Sequence, residues 1–340
     1  MWPARHWCAA RITPLISSLS WIWNSAARSE MRQTRVPTRM LCMRIGITGA
    51  TGFIGGHLAA GAKSHGHEVV AYSRGRRVVP QAAENLQQPA KAPHALPEAR
   101  LDALVHLSGE SLMGLWTAEK RKRIWESRVD FTEALVAHLA TWKPENRPKV
   151  LVCASGAGFY GNSGDEPVDE HSPHGGGFLA DVCVGWEKAA LSAETPGMRV
   201  VLLRSGMVLG PTGGAFPLLK RVFGLGLGGR LGSGKQWMAW IHVEDAVGII
   251  LKAIETETVR GPVNLCAPDS VTNAEFTAKL ATALKRPAFF HAPAFALKLL
   301  LRGMAEEMLL GGQRVIPRVA TEMGYAFEHP TLSGAFKALV

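Results

Sequence analysis

The chain has 340 residues, of which 47% are apolar and 19% are charged, so it can form a large core and is not disordered as a whole. Its five cysteines are widely spaced and form no C-x-x-C pair, which argues against a disulfide scaffold and predicts no metal site. No run approaches about 18 consecutive apolar residues, so we expect no membrane-spanning helix. These features favour a globular protein of a reducing compartment, the cytoplasm, with one large domain or two smaller ones.

The net charge of +10 is distributed unevenly. Residues 1–42 contain six arginines and a single acidic residue, Glu30, and so hold half of the net positive charge. The only dense basic cluster in the rest of the sequence is 120–123, which is typical of a solvated helix face. We therefore expect a small-molecule substrate, with neither nucleic acid nor a membrane as a partner; the oligomeric state is left undetermined.

Residues 1–42 differ in character from the rest of the chain. They contain four of the ten tryptophans and show no sustained helical or alternating pattern, so we place them outside the fold. Two explanations stay open. The segment is rich in arginine and serine, as organelle-targeting segments are, or the start codon is misassigned and the protein begins at Met43. We favour the second explanation. If the segment is a genuine targeting segment, the expected compartment is an organelle and not the cytoplasm.

From Met43 onward, apolar strands alternate with helices. Strands are predicted over 44–48, 67–73, 101–107, 150–154, 199–204 and 263–265. Helices are predicted over 56–64, 117–142, 179–192 and 243–254. Thr272 and Glu275 form a capping box that opens a further helix to about Leu284, before a helical tail interrupted by prolines. This alternation predicts an α/β fold with a doubly wound parallel sheet.

Three stretches carry no clear helix or strand pattern: 75–100, the glycine-rich 155–178, and 224–234, which holds six glycines and suits a loop over a cleft. We predict that residues 43–205 form most of a Rossmann domain. Residues 206–340 are predicted to form a smaller substrate cap and a helical tail, with 240–265 returning to complete the sheet.

The first strand is followed by three glycines with the spacing G-x-x-G-x-x-G, Gly49, Gly52 and Gly55. The first permits a tight turn, the second lets the backbone approach a pyrophosphate, and the third allows close packing of helix against strand. The N–H groups at the start of the next helix would then bind the anion. Because a predicted strand precedes the glycines and a predicted helix follows, the motif predicts a dinucleotide-binding turn.

The second strand bears on the choice between NAD and NADP. In NAD sites an acidic residue near its end accepts a hydrogen bond from the ribose 2′-OH. Here the strand ends at Tyr72-Ser73-Arg74, Arg76 and Arg77 follow, and no acidic residue lies between residues 68 and 84. An arginine can pair with a 2′-phosphate, which a carboxylate would repel. The sequence therefore favours NADP over NAD.

The motif TGATGFIG at 48–55 resembles the opening of the extended short-chain dehydrogenase/reductases, the nucleotide-sugar epimerase group. Further matching segments follow in order: DALVHLSGE at 102–110, SRVDFTEALV at 127–136, CASGAGFYG at 153–161, LRSGMVLGP at 203–211, QWMAWIHVEDAV at 236–247 and PVNLCAP at 262–268. Together they resemble the atypical, epimerase-like subfamily with a C-terminal domain of unknown function. The resemblance implies a Rossmann fold and these cofactor contacts: Thr48, Gly49, Gly52, Phe53, Ile54, Gly55, Ser73, Arg74, Leu107 and Gly109.

Extended members of that group use a Tyr-x-x-x-Lys pair on a helix, in which the tyrosine is the acid/base and the lysine lowers its pKa, together with a preceding Ser or Thr. No Tyr-x-x-x-Lys occurs in this chain. The resemblance places Leu179 and Cys183 at the two pair positions, and Gly156 at the Ser/Thr position with Ser155 beside it. None of Leu179, Cys183 and Gly156 can supply that machinery.

Four residues are therefore candidates for catalysis: Tyr160, Cys183, Glu110 and Ser155. Arg128 is a candidate for binding an acidic group, whereas His242 and Asp245 are expected to form a structural network under the cleft. The resulting hypothesis is an NADP-dependent oxidoreductase or epimerase-like enzyme acting on an unknown small molecule. The alternative is a non-catalytic NADP-binding sensor or partner protein, which the missing pair favours.

Overall fold

The structure, a computed structural model, describes residues 42–72, 86–87 and 96–340. The expectations for residues 1–41 and for Ser73, Arg74, Arg76 and Arg77 fall outside these ranges. Residues from Cys42 to Val340 belong to one compact unit. Within the described ranges, no helix is both long and apolar enough to cross a bilayer.

Seven parallel strands form the central sheet. Numbered along the chain and given in their order across the sheet, they are β12 (Gly261–Leu265), β7 (Arg199–Ser205), β5 (Val150–Gly156), β4 (Ala103–His106), β1 (Arg44–Thr48), β2 (Glu68–Tyr72) and β3 (Leu86–Gln87). Successive strands run outward from β1 in both directions, so the strand order reverses between β1 and β4. In open parallel sheets ligands bind at the carboxyl ends of the strands at such a switch point.

Helices cover both faces of the sheet. One face packs against α1 (Phe53–Ser64) and α6 (Val243–Glu255), whose apolar residues share a core with β1 and β12. The other face packs against α3 (Val129–Ala140) and α4 (Phe178–Leu191), with α2 (Ala118–Glu126) leading into α3. The near-continuous apolar residues of the strands follow from this burial on both faces.

The remaining elements are short and lie mostly after β7. Two-stranded pairs join β8 (Met207–Leu209) to β11 (Trp240–His242), β9 (Gly229–Leu231) to β14 (Phe290–Ala292), β10 (Trp237–Met238) to β13 (Val271–Thr272), and β6 (Pro167–Val168) to β15 (Arg314–Val315). Helices are α5 (Phe216–Gly224), α7 (Asn273–Leu284), α8 (Ala294–Leu301), α9 (Arg318–Glu322) and α10 (Leu332–Leu339), with a π-helical turn at Ala305–Leu310 and 3₁₀ turns at Pro144–Asn146 and Ala157–Tyr160. A separate apolar core holds α5, α7 and α10 together.

The predicted strands and helices are present with shifted ends, and the capping box is confirmed: Glu275 N donates to Thr272 Oγ1 and Thr272 N donates to Glu275 Oε2. The single helix predicted over 117–142 is two helices, α2 and α3. Ser127 Oγ separates them by donating to Ile124 O and accepting from Glu110 N, which draws the junction toward the end of β4.

The segments expected to lack regular structure also differ in detail. The stretch 75–100 contains β3, the stretch 155–178 contains a 3₁₀ turn and β6, and the stretch 224–234 contains β9. These strands have two or three residues each, too few to give a period in the sequence.

Candidate functional site

The turn between β1 and α1 is built from glycines for stereochemical reasons. Gly49 has φ +73, a conformation that other residues adopt at a cost, and Gly52 N closes the turn by donating to Gly49 O at 2.8 Å. A Cβ on Gly55 would lie 2.2 Å from Gly49 O. A Cβ on Gly49 would lie 3.0 Å from the carbonyl carbon of Leu107, so the turn also packs on the carboxyl end of β4.

Within the part of the chain that the structure describes, no side chain caps the first backbone N–H groups of α1. Gly52 is the N-cap residue and supplies no side-chain hydrogen bond, and the first turn contains no acidic residue. The capping box of α7 shows how another helix of this chain satisfies the same groups. Uncapped N–H groups and the positive end of the helix dipole suit a phosphate or pyrophosphate. The residues present therefore fit the diphosphate of a dinucleotide.

The neighbours of this turn are placed as follows. The ring of Phe53 packs against the backbone of Gly210 and Gly213, and both Phe53 and Ile54 pack partly buried against the core. Leu107 N donates to Thr48 O at 3.2 Å. The Thr48 side chain is buried and hydrogen-bonds to His106 at 2.7 Å, so it is directed into the protein.

His106 is a residue that the sequence reasoning did not single out. It lies on β4 beside Thr48 of β1, fully buried, with its ring stacked on Phe131 at 5.2 Å between centroids. Burial lowers the pKa of the imidazole to about 4, so it is neutral at pH 7. Within the described residues, its Nε2 has no hydrogen-bond partner.

Gly109 and Glu110 follow β4 and meet Arg128. A Cβ on Gly109 would lie 3.3 Å from the guanidinium carbon of Arg128, and Arg128 Nη2 donates to Glu110 O at 3.0 Å. The Arg128 guanidinium also lies 5.2 Å above the ring of Trp186. A permanent cation is thus fixed next to the backbone that follows β4.

The Glu110 carboxylate is directed toward α2, where Lys120 Nζ donates to it at 2.7 Å. This hydrogen bond with Lys120, together with the nearby positive charges of Lys120, Arg123 and Arg128, holds the pKa of Glu110 below its usual value. Glu110 is therefore ionised at neutral pH, and its proposed role as a proton donor remains a prediction.

Ser155, at the end of β5, is part of a buried ionic network. Its hydroxyl donates to Glu187 Oε1 at 2.7 Å, and the Glu187 carboxylate also accepts two bonds from Arg204, from Nε at 2.9 Å and from Nη2 at 2.8 Å. Both charged side chains are nearly fully buried. Bidentate pairing satisfies the donors and acceptors that burial would otherwise leave unpaired.

Tyr160 belongs to the same network. Its hydroxyl donates to Asn264 Oδ1 at 2.7 Å and accepts from Arg204 Nη1 at 3.1 Å. Burial raises the pKa of Tyr160 to about 12, so the phenol is neutral at pH 7. These contacts direct the hydroxyl toward β12 and occupy it there; whether it also donates a proton to a substrate remains a prediction.

Cys183 and Leu179 lie on the first two turns of α4, facing the end of β5. Cys183 Sγ donates to Gly156 O at 3.7 Å, and the nearest side chain to Gly158 is Leu179. Burial and the Glu187 carboxylate raise the pKa of the thiol to about 11, although Ser155, Gly156 O and Arg128 act in the opposite direction. The thiol is therefore protonated at neutral pH and is not a nucleophile in its resting state.

The start of α4 is capped from a distant part of the chain. Phe178 N and Leu179 N donate to the two carboxylate oxygens of Glu307 at 3.0 and 2.7 Å. Gly177 precedes them with φ +114, and a Cβ there would lie 3.2 Å from Glu307. Sequence reasoning missed Glu307, and the signal available was Gly177 followed by a helix without its own capping side chain.

His242 and Asp245 were expected to be structural, and Asp245 has such contacts. Its buried carboxylate accepts from Tyr325 Oη at 3.0 Å, from Glu328 N at 2.8 Å and from His329 N at 2.9 Å. It thereby fixes the segment before α10 on the N-terminus of α6. His242 is the last residue of β11 and the N-cap of α6.

The structure thus places the glycine turn, Gly109, Ser155 and Cys183 at the carboxyl edge of the sheet. The Arg128 guanidinium lies beside Gly109, and its charge acts to lower the pKa of the Cys183 thiol. Tyr160 lies behind this group and Glu110 is turned toward α2. The arrangement can bind a phosphate, hold one fixed positive charge and offer neutral hydroxyl and thiol groups. Among these residues no side chain has a pKa moved close to 7, as a tuned general base would require.

Comparison with known proteins gives a consistent result over the described unit. The profile of the "NAD dependent epimerase/dehydratase family" matches residues 45–266. The profile of a "Domain of unknown function (DUF1731)" matches residues 292–339.

Individual relatives cover nearly the same range. An epimerase family protein of Mycobacterium bovis is 39% identical over 299 residues, which are 86% of this chain and 95% of the relative. The chloroplastic homologue of epimerase family protein SDR39U1 from Arabidopsis thaliana is 36% identical over 303 residues, 88% of this chain and 87% of the relative. The crystal structure of human SDR39U1 (isoform 2) with NADPH superposes with a TM-score of 0.78 at 35% identity, covering 87% of this chain and 99% of that one.

Proposed function

This chain belongs to the NAD dependent epimerase/dehydratase family, and from that premise we propose that it binds NADP(H) and acts as an oxidoreductase or epimerase-like enzyme on a small molecule. In this proposal it works without the Tyr-x-x-x-Lys pair of extended short-chain dehydrogenases. A pyridine nucleotide is the cofactor class of the family, and the turn at Gly49–Gly55 has the stereochemistry that its diphosphate needs.

The uncapped N-terminus of α1 is the observation that carries the proposal. Glycine at the N-cap costs a helix only about a few tenths of a kcal/mol relative to Ser, Thr, Asn or Asp, and it leaves the N–H groups of the first turn available to a ligand. The strand–turn–helix context and the position at the switch point of the sheet make a nucleotide diphosphate that ligand.

Three considerations favour NADP over NAD. Arg74, at the predicted end of the second strand, and the arginines that follow it provide a cation for a 2′-phosphate. No acidic residue lies between residues 68 and 84 to accept from a 2′-OH. A relative that is 35% identical over most of both chains has a crystal structure with NADPH.

At the reactive end the cofactor, when bound, supplies the hydride chemistry. The side chains of this chain then bind and orient: Arg128 offers a positive charge to an acidic or carbonyl group of the substrate. Beside Gly156, Cys183 offers a neutral thiol and Ser155 a neutral hydroxyl. Because Ser155 already donates its proton to Glu187, its oxygen is a better acceptor than donor. Proton transfer in this proposal is left to Tyr160, Glu110, water or the substrate itself.

One observation favours a second candidate, a non-catalytic NADP-binding sensor or partner protein. The two positions that the resemblance assigns to the acid/base pair carry Leu179 and Cys183, an apolar side chain and a thiol with a raised pKa. Such a protein would need the nucleotide-binding turn but no proton transfer.

We also propose that nucleic acid is not a partner, because the charges of the basic cluster at 120–123 are engaged nearby. Lys120 pairs with Glu110 at 2.7 Å and Lys122 with Glu126 at 3.6 Å. For the compartment we propose the cytoplasm, with an organelle as the alternative if residues 1–42 are a targeting segment.

Cofactor titration tests the proposal. We expect the protein to bind NADPH more tightly than NADH, and Arg74→Ala to reduce that preference by about 1–3 kcal/mol, the range for a charge-assisted hydrogen bond. Lys122→Ala is the matched control and keeps the preference, because this side chain is 74% exposed and pairs with Glu126. Cys183→Ser binds NADPH with unchanged affinity, since a thiol on the second turn of α4 does not contact the diphosphate.

Turnover is measured on a panel of nucleotide sugars and short-chain alcohols. Loss of general acid–base assistance is worth about 10²–10⁴-fold, so we expect weak turnover alongside clear NADPH binding. Equal affinity for NADPH and NADH would refute the NADP assignment. The median turnover rate of enzymes is about 10 s⁻¹. If a panel substrate turns over at this rate or faster, and Tyr160→Phe leaves the rate unchanged, Tyr160 is not the acid. If no substrate is reduced, and NADPH changes the affinity of this protein for a protein partner, the sensor hypothesis replaces the enzyme hypothesis.

A further inference from the structure

Three potential metal ligands meet at the N-terminus of α6, and the proposed function uses none of them. His242 ends β11 and caps α6, Glu244 lies in the first turn of α6, and His329 lies between α9 and α10. One ligand atom from each side chain lies within 4.8 Å of the other two. We propose that His242, Glu244 and His329 bind one divalent transition-metal ion of the Zn²⁺ type.

The donor atoms are already near the separations that an ion requires. Glu244 Oε2 lies 2.9 Å from His329 Nε2 and 3.6 Å from His242 Nδ1. Two ligands of an ion with bonds of about 2.1 Å are roughly 3.0–3.4 Å apart in octahedral or tetrahedral geometry. The two imidazole rings are packed with centroids 3.9 Å apart at 46°. Small side-chain rotations therefore suffice to enclose an ion.

His242 is the buried member of the cluster, and its hydrogen bonding is weak. Its side chain is 4% exposed, and within the described residues its Nε2 has no hydrogen-bond partner. Its Nδ1 makes one long hydrogen bond, 3.3 Å from Glu244 N. An ion bound at Nδ1 would replace this long hydrogen bond, and the ring proton would stay on Nε2.

The chemistry of the cluster selects the class of ion. Two imidazole nitrogens and one carboxylate oxygen suit Zn²⁺, Co²⁺ or Ni²⁺, whereas Mg²⁺ and Ca²⁺ prefer oxygen ligands alone. Glu244 is 60% exposed, so the cluster is open to solvent on one side and an ion can enter.

The site is also held in place from behind. Asp245 accepts from the backbone N–H groups of Glu328 and His329, so the backbone that carries His329 is fixed independently of any ion. An ion at this position would tie the C-terminal segment before α10 to the start of α6. The assignment revises the expectation of no metal site, which rested on cysteine spacing alone.

Titration of the full chain, stripped of metal with a chelator, tests the proposal. We expect Zn²⁺ to bind with one equivalent at this site and to raise the melting temperature, and Mg²⁺ to produce neither effect. Glu244→Gln and His329→Gln each weaken Zn²⁺ binding by about tenfold or more. Glu257→Gln and His65→Gln are matched controls on exposed residues outside the cluster, and both keep the wild-type affinity.

Co²⁺ provides a second readout. Bound Co²⁺ gives ligand-field absorption without an intense thiolate band, since no cysteine belongs to the cluster, and the absorption is lost in Glu244→Gln. Should His329→Gln fail to fold, Glu244→Gln decides the matter because that side chain is largely exposed. Equal Zn²⁺ affinity in wild type and Glu244→Gln, or no Zn²⁺ binding to the wild type, overturns the proposal.

Discussion

His106 shows how burial on both faces of the sheet controls the charge of a single side chain. It lies on β4, hydrogen-bonds to Thr48 just before the glycine turn and stacks on Phe131. Burial lowers the pKa of the folded-state imidazole to about 4. In the unfolded chain the same group has its ordinary pKa of 6.5. Folding is therefore linked to the release of a proton in the window between these two values.

The first prediction follows from that linkage. Between pH 6.5 and pH 4 the unfolded chain binds a proton at His106 and the folded chain does not, so the free energy of unfolding falls as the pH is lowered. The contribution of His106 is about 3 kcal/mol, fully present above pH 6.5 and lost as the pH falls to about 4. Denaturant unfolding at a series of pH values measures this effect. The free energy of unfolding of His106→Gln should depend less steeply on pH than that of the wild type.

His65→Gln is the control for this measurement. His65 is exposed, so its replacement should leave the pH dependence of the wild type in place. Parallel stability curves for the wild type and His106→Gln across pH 4–6.5 would contradict the linkage to His106.

Local signals were readable from the sequence at the residue scale, whereas long-range ones were not. The glycine turn and the Thr272–Glu275 capping box were predicted because each is formed within seven residues of chain. The Glu187–Arg204 pair joins residues 17 apart, and the Glu307 cap of α4 joins residues 129 apart. Nothing in the neighbourhood of Glu307 in the sequence identifies its partner, since only the tertiary fold brings the two together.

At the scale of elements, α1 depends on two kinds of glycine. Gly55 faces Gly49 across the turn, and an added Cβ would lie 2.2 Å from a backbone oxygen that cannot swing aside. At Gly56 the nearest atom to an added Cβ is 3.7 Å away, which is ordinary contact. Gly55 is thus required on steric grounds, whereas the adjacent Gly56 is not.

Alanine substitution at these two positions gives the second prediction. Gly55→Ala should destabilise the protein by about 1–3 kcal/mol through overpacking, and should weaken NADPH binding because the turn must open. Gly56→Ala should be neutral or stabilise by up to about 1 kcal/mol, since alanine is the better helix former. Chemical unfolding and NADPH titration of the two variants measure both effects. A Gly55→Ala protein as stable and as tightly binding as Gly56→Ala would rule out the steric role.

Periodicity identified the long elements but not how they are interrupted. The predicted helix 117–142 keeps its apolar spacing through Ser127 and Arg128, and the break arises from contacts with the loop after β4. Strands of two residues, such as β6 and β15, pair with a segment far away in the sequence and leave no pattern of their own. The pattern of buried apolar residues therefore predicted whether a segment is a helix or a strand, but it did not predict where a helix is interrupted.

At the scale of the whole molecule, the C-terminal half is joined to the Rossmann sheet rather than appended to it. β12 forms one edge of the sheet beside β7. Glu170 Oε1, in the loop before α4, accepts from Asn264 N of β12 and from Val319 N of α9. Asn264 Nδ2 also donates to Ile316 O. Loss of the sheet therefore removes the support of the tail, and loss of the tail exposes the edge strand.

This connection predicts cooperative unfolding of the unit from Cys42 to Val340. Differential scanning calorimetry should give one transition, coincident with the loss of far-ultraviolet circular dichroism. NADPH at 100 times its dissociation constant should stabilise the folded state by about 2.7 kcal/mol and shift the whole transition upward without splitting it. The Gly55→Ala protein at the same NADPH concentration is the control and should shift less. Two separate transitions, or a shift confined to one of them, would mean that the tail and the sheet unfold independently and that the contacts of Glu170 and Asn264 do not couple them.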